Sequence, residues 1–518
     1  MTSAPAHAAA ADVSIIGGGH NGLVAAAYLA RAGRRVVVLE ATSTLGGAVA
    51  SNQFFDGVPA SLSRFSYLVS VLPQVIVDDL GLDLELRSRR IASYTPRPGG
   101  GLLVERQAGP ATRESFQALT GGNEAYAAWC TFEEELRAFA EVIEPTLTRP
   151  LPRESELRSA IDADMWSSLV ERPLGELLEQ RFADDTVRGV LLTDALIGTF
   201  TDAHDDSLRQ NRCFLYHVIG HGTGEWKVPV RGMGRVAQAM EDAARAAGAE
   251  LRTGTRVVAV EPLPDGGAEV VLDDGTRMAA PYVLANCAPA VLDALLGERS
   301  VAPEGSQTKI NIVVRRLPRF ASGMDPETGF AGTLHLHQGY AQLQRAHDEA
   351  RSGRIPDPMP VEVYCHTLTD ASILEPDLAA AGFHTLTVFG LHTPARLFAD
   401  DHDARREEAC RAALRSLQEM LAEPFGDCLA RDRQGRPCIE VMTPLDVEAA
   451  IGMPGGHIFH GDLQWPWLAG EAPATTPAER WGVGTAQPGI LICGSGAVRG
   501  GAVSGLGGHN AAMAVLEG

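Results

Sequence analysis

The sequence predicts an α/β protein: a Rossmann-like dinucleotide-binding domain assembled from separated stretches of chain, paired with a second, α+β domain. Three observations predict it. A short apolar run, Val13-Ser14-Ile15-Ile16, feeds a glycine turn, a helix over 24–32 and a strand over 36–40. The same order of strand, glycine loop and helix returns at 490–516. Between these ends the texture alternates, and 518 residues exceed a single ordinary core.

The first turn reads Gly17-Gly18-Gly19-His20-Asn21-Gly22, with the spacing Gly17-x-Gly19-x-x-Gly22. The three spaced glycines serve a tight turn, a close backbone approach to a pyrophosphate, and close packing of helix on strand. The diphosphate would sit over the helix N-terminus, where unpaired N–H groups meet it. Glu40 ends the second strand 18 positions after Gly22, near the spacing at which a carboxylate accepts from the ribose hydroxyls. A carboxylate there also repels a 2′-phosphate, which disfavours a nucleotide of the NADP type. Gly46 and Gly47 follow, a second pair at which the chain can pass close to the ligand. At the far end, Gly494 follows the apolar run 490–493, and Gly500-Gly501-Ala502-Val503-Ser504-Gly505-Leu506-Gly507-Gly508 precedes a helix over 510–516.

Residues 1–90, 221–300 and 456–518 are expected to form the nucleotide domain, and 91–220 with 301–455 the substrate domain. The first block of the latter carries helix patterns over 123–142 and 159–181, the second interrupted at Pro173. In 221–300 a helix over 234–247 precedes a strand near Val257, hairpin turns at Asp265-Gly266-Gly267 and Asp273-Asp274-Gly275, and a strand over 282–285. Strands near 310–314, 361–365 and 384–390 and a helix over 404–421 complete the second domain.

The net charge of −21 (44 basic against 65 acidic residues) repels polyanions at long range, so nucleic-acid binding is not expected. Eight cysteines show no C-x-x-C pair and no metal-ligand spacing, which argues for free thiols in a reducing, cytoplasmic setting and against dithiol chemistry or a bound metal. The segment 1–11 lacks basic residues and a long apolar stretch and reads as a disordered tail rather than a signal peptide. No stretch reaches the length of a transmembrane helix, so no stable membrane insertion is expected. A homodimer is the default assembly.

These residues resemble the FAD-dependent amine oxidase and phytoene desaturase superfamily, and within it the phytoene dehydrogenase-related proteins of the pyridine nucleotide-disulphide oxidoreductase domain-containing protein 2 type. The resemblance spans most of the chain. Beyond the glycine loops it rests on Ser63-Arg64-Phe65-Ser66-Tyr67-Leu68, Val230-Arg231-Gly232-Met233-Gly234, Thr308-Lys309-Ile310-Asn311 and Gly455-Gly456-His457-Ile458-Phe459-His460-Gly461. It implies a discontinuous FAD domain of the GR2 type with FAD as cofactor. Glu40 would hold the adenosine ribose, Gly46 and Gly47 would lie along the flavin side, and Val257 or Val258 would meet the adenine through the backbone. The 500–508 loop would cover the diphosphate and isoalloxazine. NAD(P)H is not expected as a stable second cofactor.

Lys309 is one of only two lysines. Strand alternation puts Lys309, Asn311 and Val313 on one face. The resemblance places its ammonium near the reactive flavin nitrogen through a water, where it would stabilise anionic reduced flavin and assist reaction with oxygen; the alternative is a lysine snorkelling at a strand edge. His460 or His457 would bind substrate or move a proton near neutral pH, or else form a structural hydrogen-bonded pair. Trp465 and Trp467, with Tyr67, Phe65 and Trp226, would wall an apolar pocket, or else serve as core aromatics. The functional expectation is hydride transfer to FAD from a C–N or C–C bond of a largely apolar small molecule, with oxygen or another acceptor taking the electrons. A polyene desaturase or isomerase, a non-enzymatic FAD-binding interaction protein and a flavin hydroxylase are the alternatives.

Overall fold

Five short parallel strands make the nucleotide-binding sheet. The computed structural model describes residues 11–220, 224–470 and 473–518. Across this sheet the order is Ile490–Ile492, Tyr282–Ala285, Val13–Ile16, Val36–Leu39 and Glu250–Arg252, with every pairing parallel. The central strands are buried at every position, which is why they read as unbroken apolar runs rather than as alternation. Helices His20–Arg31 and Leu506–Glu517 pack along each other, and Met233–Ala246 lies beside the first. Gly508 permits that contact: a Cβ there would stand 1.9 Å from the Asn21 carbonyl oxygen.

Val257–Pro262, Ala268–Leu272 and Arg277–Ala280 form a small antiparallel sheet. Its turns fall on the Asp-Gly signals, with Gly266, Gly267 and Gly275 all at positive φ.

The second large sheet has seven strands in the order Ile439–Met442, Thr308–Val314, His384–Gly390, Val361–Tyr364, Thr333–Leu336, Ile91–Arg97 and Gly100–Glu105. Its pairs are antiparallel except Thr333–Leu336 with Ile91–Arg97. One face is apolar. Ile310, Ile312, Val388, Val363 and Leu334 pack there with Phe320, Phe330 and the buried stripe Ala409, Ala413 and Leu417 of helix His402–Gln418.

Helices between residues 110 and 218 share one apolar core with the nucleotide sheet, Phe132, Phe139 and Trp166 joining Val13 and Ile15. Here the expectation of one helix over 159–181 broken only at Pro173 is corrected. The chain forms Glu154–Ala160, Ala163–Trp166, a π turn at Ser167–Glu171 and Leu174–Arg181. Asp162 starts a new helix by accepting from the Asp164 and Met165 N–H groups, so local capping adds a break that periodicity does not reveal. Among the described residues no helix is long and apolar enough to cross a membrane. The leader, apart from Ala11, lies outside the described residues.

Candidate active site

The glycine turn is built so that backbone, not side chains, faces outward. Gly17 has φ +99°, and Gly22 lies so close beneath it that a Cβ would stand 2.4 Å from the Gly17 oxygen and 2.8 Å from Asn286 Nδ2. Asn286, next to the strand Tyr282–Ala285, donates from Nδ2 to the Gly17 oxygen at 3.0 Å. Gly18 donates its N–H to Glu40 Oε2 at 2.8 Å, while Oε1 accepts from the Thr42 N–H and hydroxyl at 2.8 Å each. Glu40 is therefore a brace for the turn as well as an acceptor at the strand end. Gly46 bonds back to the Gly18 oxygen at 2.8 Å, and a Cβ on Gly47 would meet Gly19 Cα at 3.3 Å. The two glycine pairs thus touch.

Val257 opens its strand two residues after Thr255 donates to the Glu40 oxygen at 2.8 Å. A register shift between Val257 and Ala259 leaves Val258 opposite no residue, with 48% of its surface exposed. From the C-terminal end, Gly494 lies against Asn286, a Cβ there falling 3.1 Å from its oxygen, and Gly501 lies under Leu463. Ala502 is held at φ +62°, its carbonyl accepting from His20 Nε2 at 3.2 Å. Val503 is half-buried against the core, and Gly505, at φ +72°, caps the last helix. Predicted residues from both ends of the chain therefore converge on one cradle.

Does a dinucleotide fit there? Helix His20–Arg31 starts at Gly19 with no side-chain cap and no acid in its first turn, so its N–H groups and positive dipole end remain available. Asn21 is 1% exposed, yet neither atom of its amide has a partner among the described residues. Buried amides are normally satisfied, so a ligand at this turn accounts for the orphan.

The second half of the site lies on the seven-stranded sheet. Register puts Lys309, Phe389, Glu362 and His335 in one row across four strands, with Asn311, Thr387, Tyr364 and Thr333 in the next. This face is covered rather than solvated: Lys309 is 4% exposed, Glu362 1%, His335 4% and Asn311 1%. Lys309 sits on an interior strand and donates to the carbonyls of Ser63 and Ser66 at 2.7 Å each, so the strand-edge reading fails. A turn in which Ser63 Oγ accepts the Ser66 N–H presents those carbonyls. Burial lowers the Lys309 pKa to about 7, opposed by Glu440. Glu440 is itself held by Arg64 at 2.6 Å and by Asn311 at 3.2 Å.

Tyr67 and Trp226 stack at 5.8 Å over this row, and Tyr67 also meets Tyr364 at 4.8 Å and Phe389 at 4.7 Å. The five expected aromatics do not form one wall. Trp467 is core, between Trp465 (5.0 Å) and Trp166 (5.2 Å), and Phe65 packs with Met442 and Met453. The sequence reading missed Tyr364, Phe389, Glu362, Arg89 and Asp194. Tyr364 donates to Glu362, and Arg89, 6% exposed, lies 5.7 Å above the Tyr364 ring and donates to Thr333 Oγ1. The available signal was alternation in Thr333-Leu334-His335-Leu336, Val361-Glu362-Val363-Tyr364 and Leu386-Thr387-Val388-Phe389.

His460, at φ +63°, neighbours His20 and His457, and burial with those imidazoles pushes its pKa to about 3. It stays neutral near pH 7, contrary to the expectation of a proton carrier. His457 accepts the Phe459 N–H at 3.3 Å and lies 3.9 Å from Asp462, a structural arrangement.

The model of the flavin containing amine oxidoreductase family matches residues 22–432. The chain belongs to this family. It is an FAD-dependent oxidoreductase with an α/β FAD-binding fold and a substrate domain. An uncharacterised protein of Mycobacterium tuberculosis is 48% identical over 98% of this chain and 97% of its own length. Pyridine nucleotide-disulfide oxidoreductase domain-containing protein 2 of Mus musculus is 30% identical over 98% of this chain and 93% of its own. Among solved flavin amine oxidoreductases, the fold is similar to putrescine oxidase (TM-score 0.57, 18% identity, 99% of this chain and 100% of that one). Cyclohexylamine oxidase from Brevibacterium oxydans is likewise similar (TM-score 0.57, 16% identity, 98% and 99%).

Proposed function

We propose that the chain takes hydride from a carbon bonded to nitrogen in a small molecule with an apolar body and a polar group, and that oxygen or another acceptor then takes the electrons. The observation that carries this reading is the covered polar row Lys309, Phe389, Glu362, His335 beneath the Tyr67 and Trp226 rings. Four buried atoms around it, Asn311 Oδ1, His366 Nε2, His217 Nε2 and Gln338 Nε2, have no partner among the described residues. Orphaned polar atoms in a covered layer disfavour a wholly apolar polyene, which offers them nothing.

FAD, when bound, supplies the two-electron acceptor. Gly17, Gly19, Gly22, Gly46, Gly47, Gly494, Gly501, Ala502, Val503 and Gly505 would hold its diphosphate and flavin side, Glu40 its ribose, and the Val257-Val258 backbone its adenine. His20 fixes Ala502, and Asn21 offers its amide to the cofactor. Tyr67, Trp226, Tyr364 and Phe389 exclude water and receive the apolar body, each buried aromatic pair adding about 1 kcal/mol beyond area burial. Lys309 holds its amino group among carbonyls, where the positive charge of its protonated form acts with little screening.

The test is the absorption spectrum of the purified protein, then anaerobic photoreduction and readmission of air. Bound flavin with rapid reoxidation, and peroxide from an amine panel, support the reading. Bound flavin that is bleached only by polyenes, or no flavin at all, overturns it.

A further inference from the structure

A cavity of about 320 Å³ lies apart from the covered row, large enough for a small molecule. Its floor is apolar: Leu192 and Leu196 come from the end of helix Asp185–Thr193 and the turn that follows, Leu343 from helix Tyr340–Arg351. Its charged lining is acidic, Glu179 from helix Leu174–Arg181 and Asp202 from a loop. Among the described residues no lysine or arginine lines it, and Arg188, 5.8 Å from the Tyr340 ring centre, stays outside. Glu179 Oε1 accepts from Tyr340 Oη at 2.9 Å and lies 2.9 Å from His204 Nε2, while Oε2 has no hydrogen-bond partner among the described residues. Gly175 makes room for this group, since a Cβ there would stand 2.7 Å from the His204 ring and 2.8 Å from Tyr340 Oη. Burial acts against ionisation of Glu179, but the hydrogen bonds from His204 and Tyr340 hold its pKa below the ordinary value. Asp202 Oδ1 accepts the His204 N–H at 2.9 Å, and Oδ2 lies 3.7 Å from His347 Nδ1.

His392 supplies an independent observation. It lines the same cavity and is 2% exposed, yet its Nε2 has no partner among the described residues. Burial, and then the His347 ring 5.5 Å away, push its pKa to about 3, so the imidazole is neutral. A buried ring nitrogen left unpaired is costly unless something supplies its hydrogen bond.

We propose that this cavity is a second binding site, separate from the covered row, and that it takes a small organic cation: a protonated amine with a short hydrocarbon body. The ammonium would face Glu179 and Asp202 and donate to His392 Nε2 in the tautomer that carries its hydrogen on Nδ1, and the body would lie on the three leucines. An anion would meet two carboxylates and no base, and a neutral alcohol would leave both negative charges uncompensated. The wall between the two sites is the chain over 192–196: Leu192 and Leu196 line the cavity, while Thr193 between them donates to Glu362 Oε1 of the covered row at 3.0 Å. Binding here needs no flavin chemistry, so the inference stands apart from the hydride-transfer reading.

Methyl NMR of the leucine-labelled, flavin-loaded protein titrated with hexylammonium chloride tests the site, the Leu192, Leu196 and Leu343 signals being identified by substitution with isoleucine. All three should shift and saturate. Hexanol, which has the same chain without the charge, should bind at least tenfold more weakly, and Asp202→Asn and Glu179→Gln should each raise the hexylammonium dissociation constant at least tenfold. Lys309→Met should leave that constant unchanged, whereas a matching loss would put the probe in the covered row and overturn the second site. Shifts that do not saturate, that hexanol produces equally, or that ignore both carboxylate substitutions also overturn it. Should those variants fail to fold, Ala341→Trp, which adds a ring at an exposed position of the lining, is expected to abolish the shifts; unaltered binding in that variant overturns the site. A protein purified without flavin would refute the functional reading alone, and its leucine signals can still be titrated.

Discussion

Lys309 and Glu362 stand in the same covered row of the seven-stranded sheet with Phe389 between them, a buried amine and a buried carboxyl group that do not form an ion pair. The Lys309 ammonium lies 5.8 Å from the Phe389 ring centre and is satisfied by two backbone carbonyls. Such a separation leaves both groups free to act on something lying over the row.

Lys309→Met should retain flavin but slow reoxidation of the reduced protein by oxygen at least tenfold, measured by stopped-flow absorbance. An unchanged rate would remove Lys309 from the chemistry.

The same substitution has a stability signature. Folding lowers the Lys309 pKa from 10.5 to about 7, so between those values the unfolded chain binds more protons and stability rises with pH. The native protein should gain stability from pH 7 towards 10.5, and Lys309→Met should flatten that rise in thermal melts. Asp194 acts oppositely: folding raises its pKa from 3.8 to about 7, so its contribution is lost as pH climbs through that window. Asp194→Asn should therefore melt higher than the native protein at pH 8, by an amount on the order of 3 kcal/mol.

Two glycines of one motif should fail differently. A Cβ at Gly19 meets only Asn286 Nδ2 at 3.1 Å, whereas at Gly22 it meets backbone at 2.4 Å. Gly19→Val is expected to fold and purify colourless, while Gly22→Val should be insoluble or melt far lower. A yellow Gly19→Val would contradict the diphosphate assignment.

Asn21→Leu removes an unsatisfied buried amide, which costs about 1–3 kcal/mol when unpaired. The flavin-free protein should be as stable as native or more so, yet its flavin dissociation constant should rise about tenfold, read by fluorescence titration. Equal flavin affinity would show that the amide does not face the cofactor.

Trp467→Ala should lose about 3–5 kcal/mol of stability and leave the flavin spectrum unchanged, because this ring packs on Trp166 and Trp465. A perturbed spectrum would return it to the site.

The nucleotide half of the molecule was readable because its chemistry is local: Gly17 to Gly22 and Glu40 carry their constraints within 30 residues, and the buried strands spell themselves as apolar runs. The sheet face was not. Alternation in Val361-Glu362-Val363-Tyr364 says that two faces differ, but not that the polar one is covered. Its cover comes from the turn around Ser63 to Tyr67, from Trp226 and from the helix ending at Thr193, all remote in sequence. The same remoteness scattered the tryptophans: Trp465 and Trp467 lie near one another in sequence and pack together, while Trp226 belongs to another layer.

The strand Ile490–Ile492 borders Tyr282–Ala285, which borders Val13–Ile16, so the parallel sheet is closed by segments separated by most of the chain. During synthesis the glycine turn leaves the ribosome long before the strand Ile490–Ile492 that completes its sheet. Loops this long are slow to close, and an exposed strand edge invites wrong partners in the interval. Any truncation before residue 490 should accordingly shift this protein towards aggregation and proteolysis.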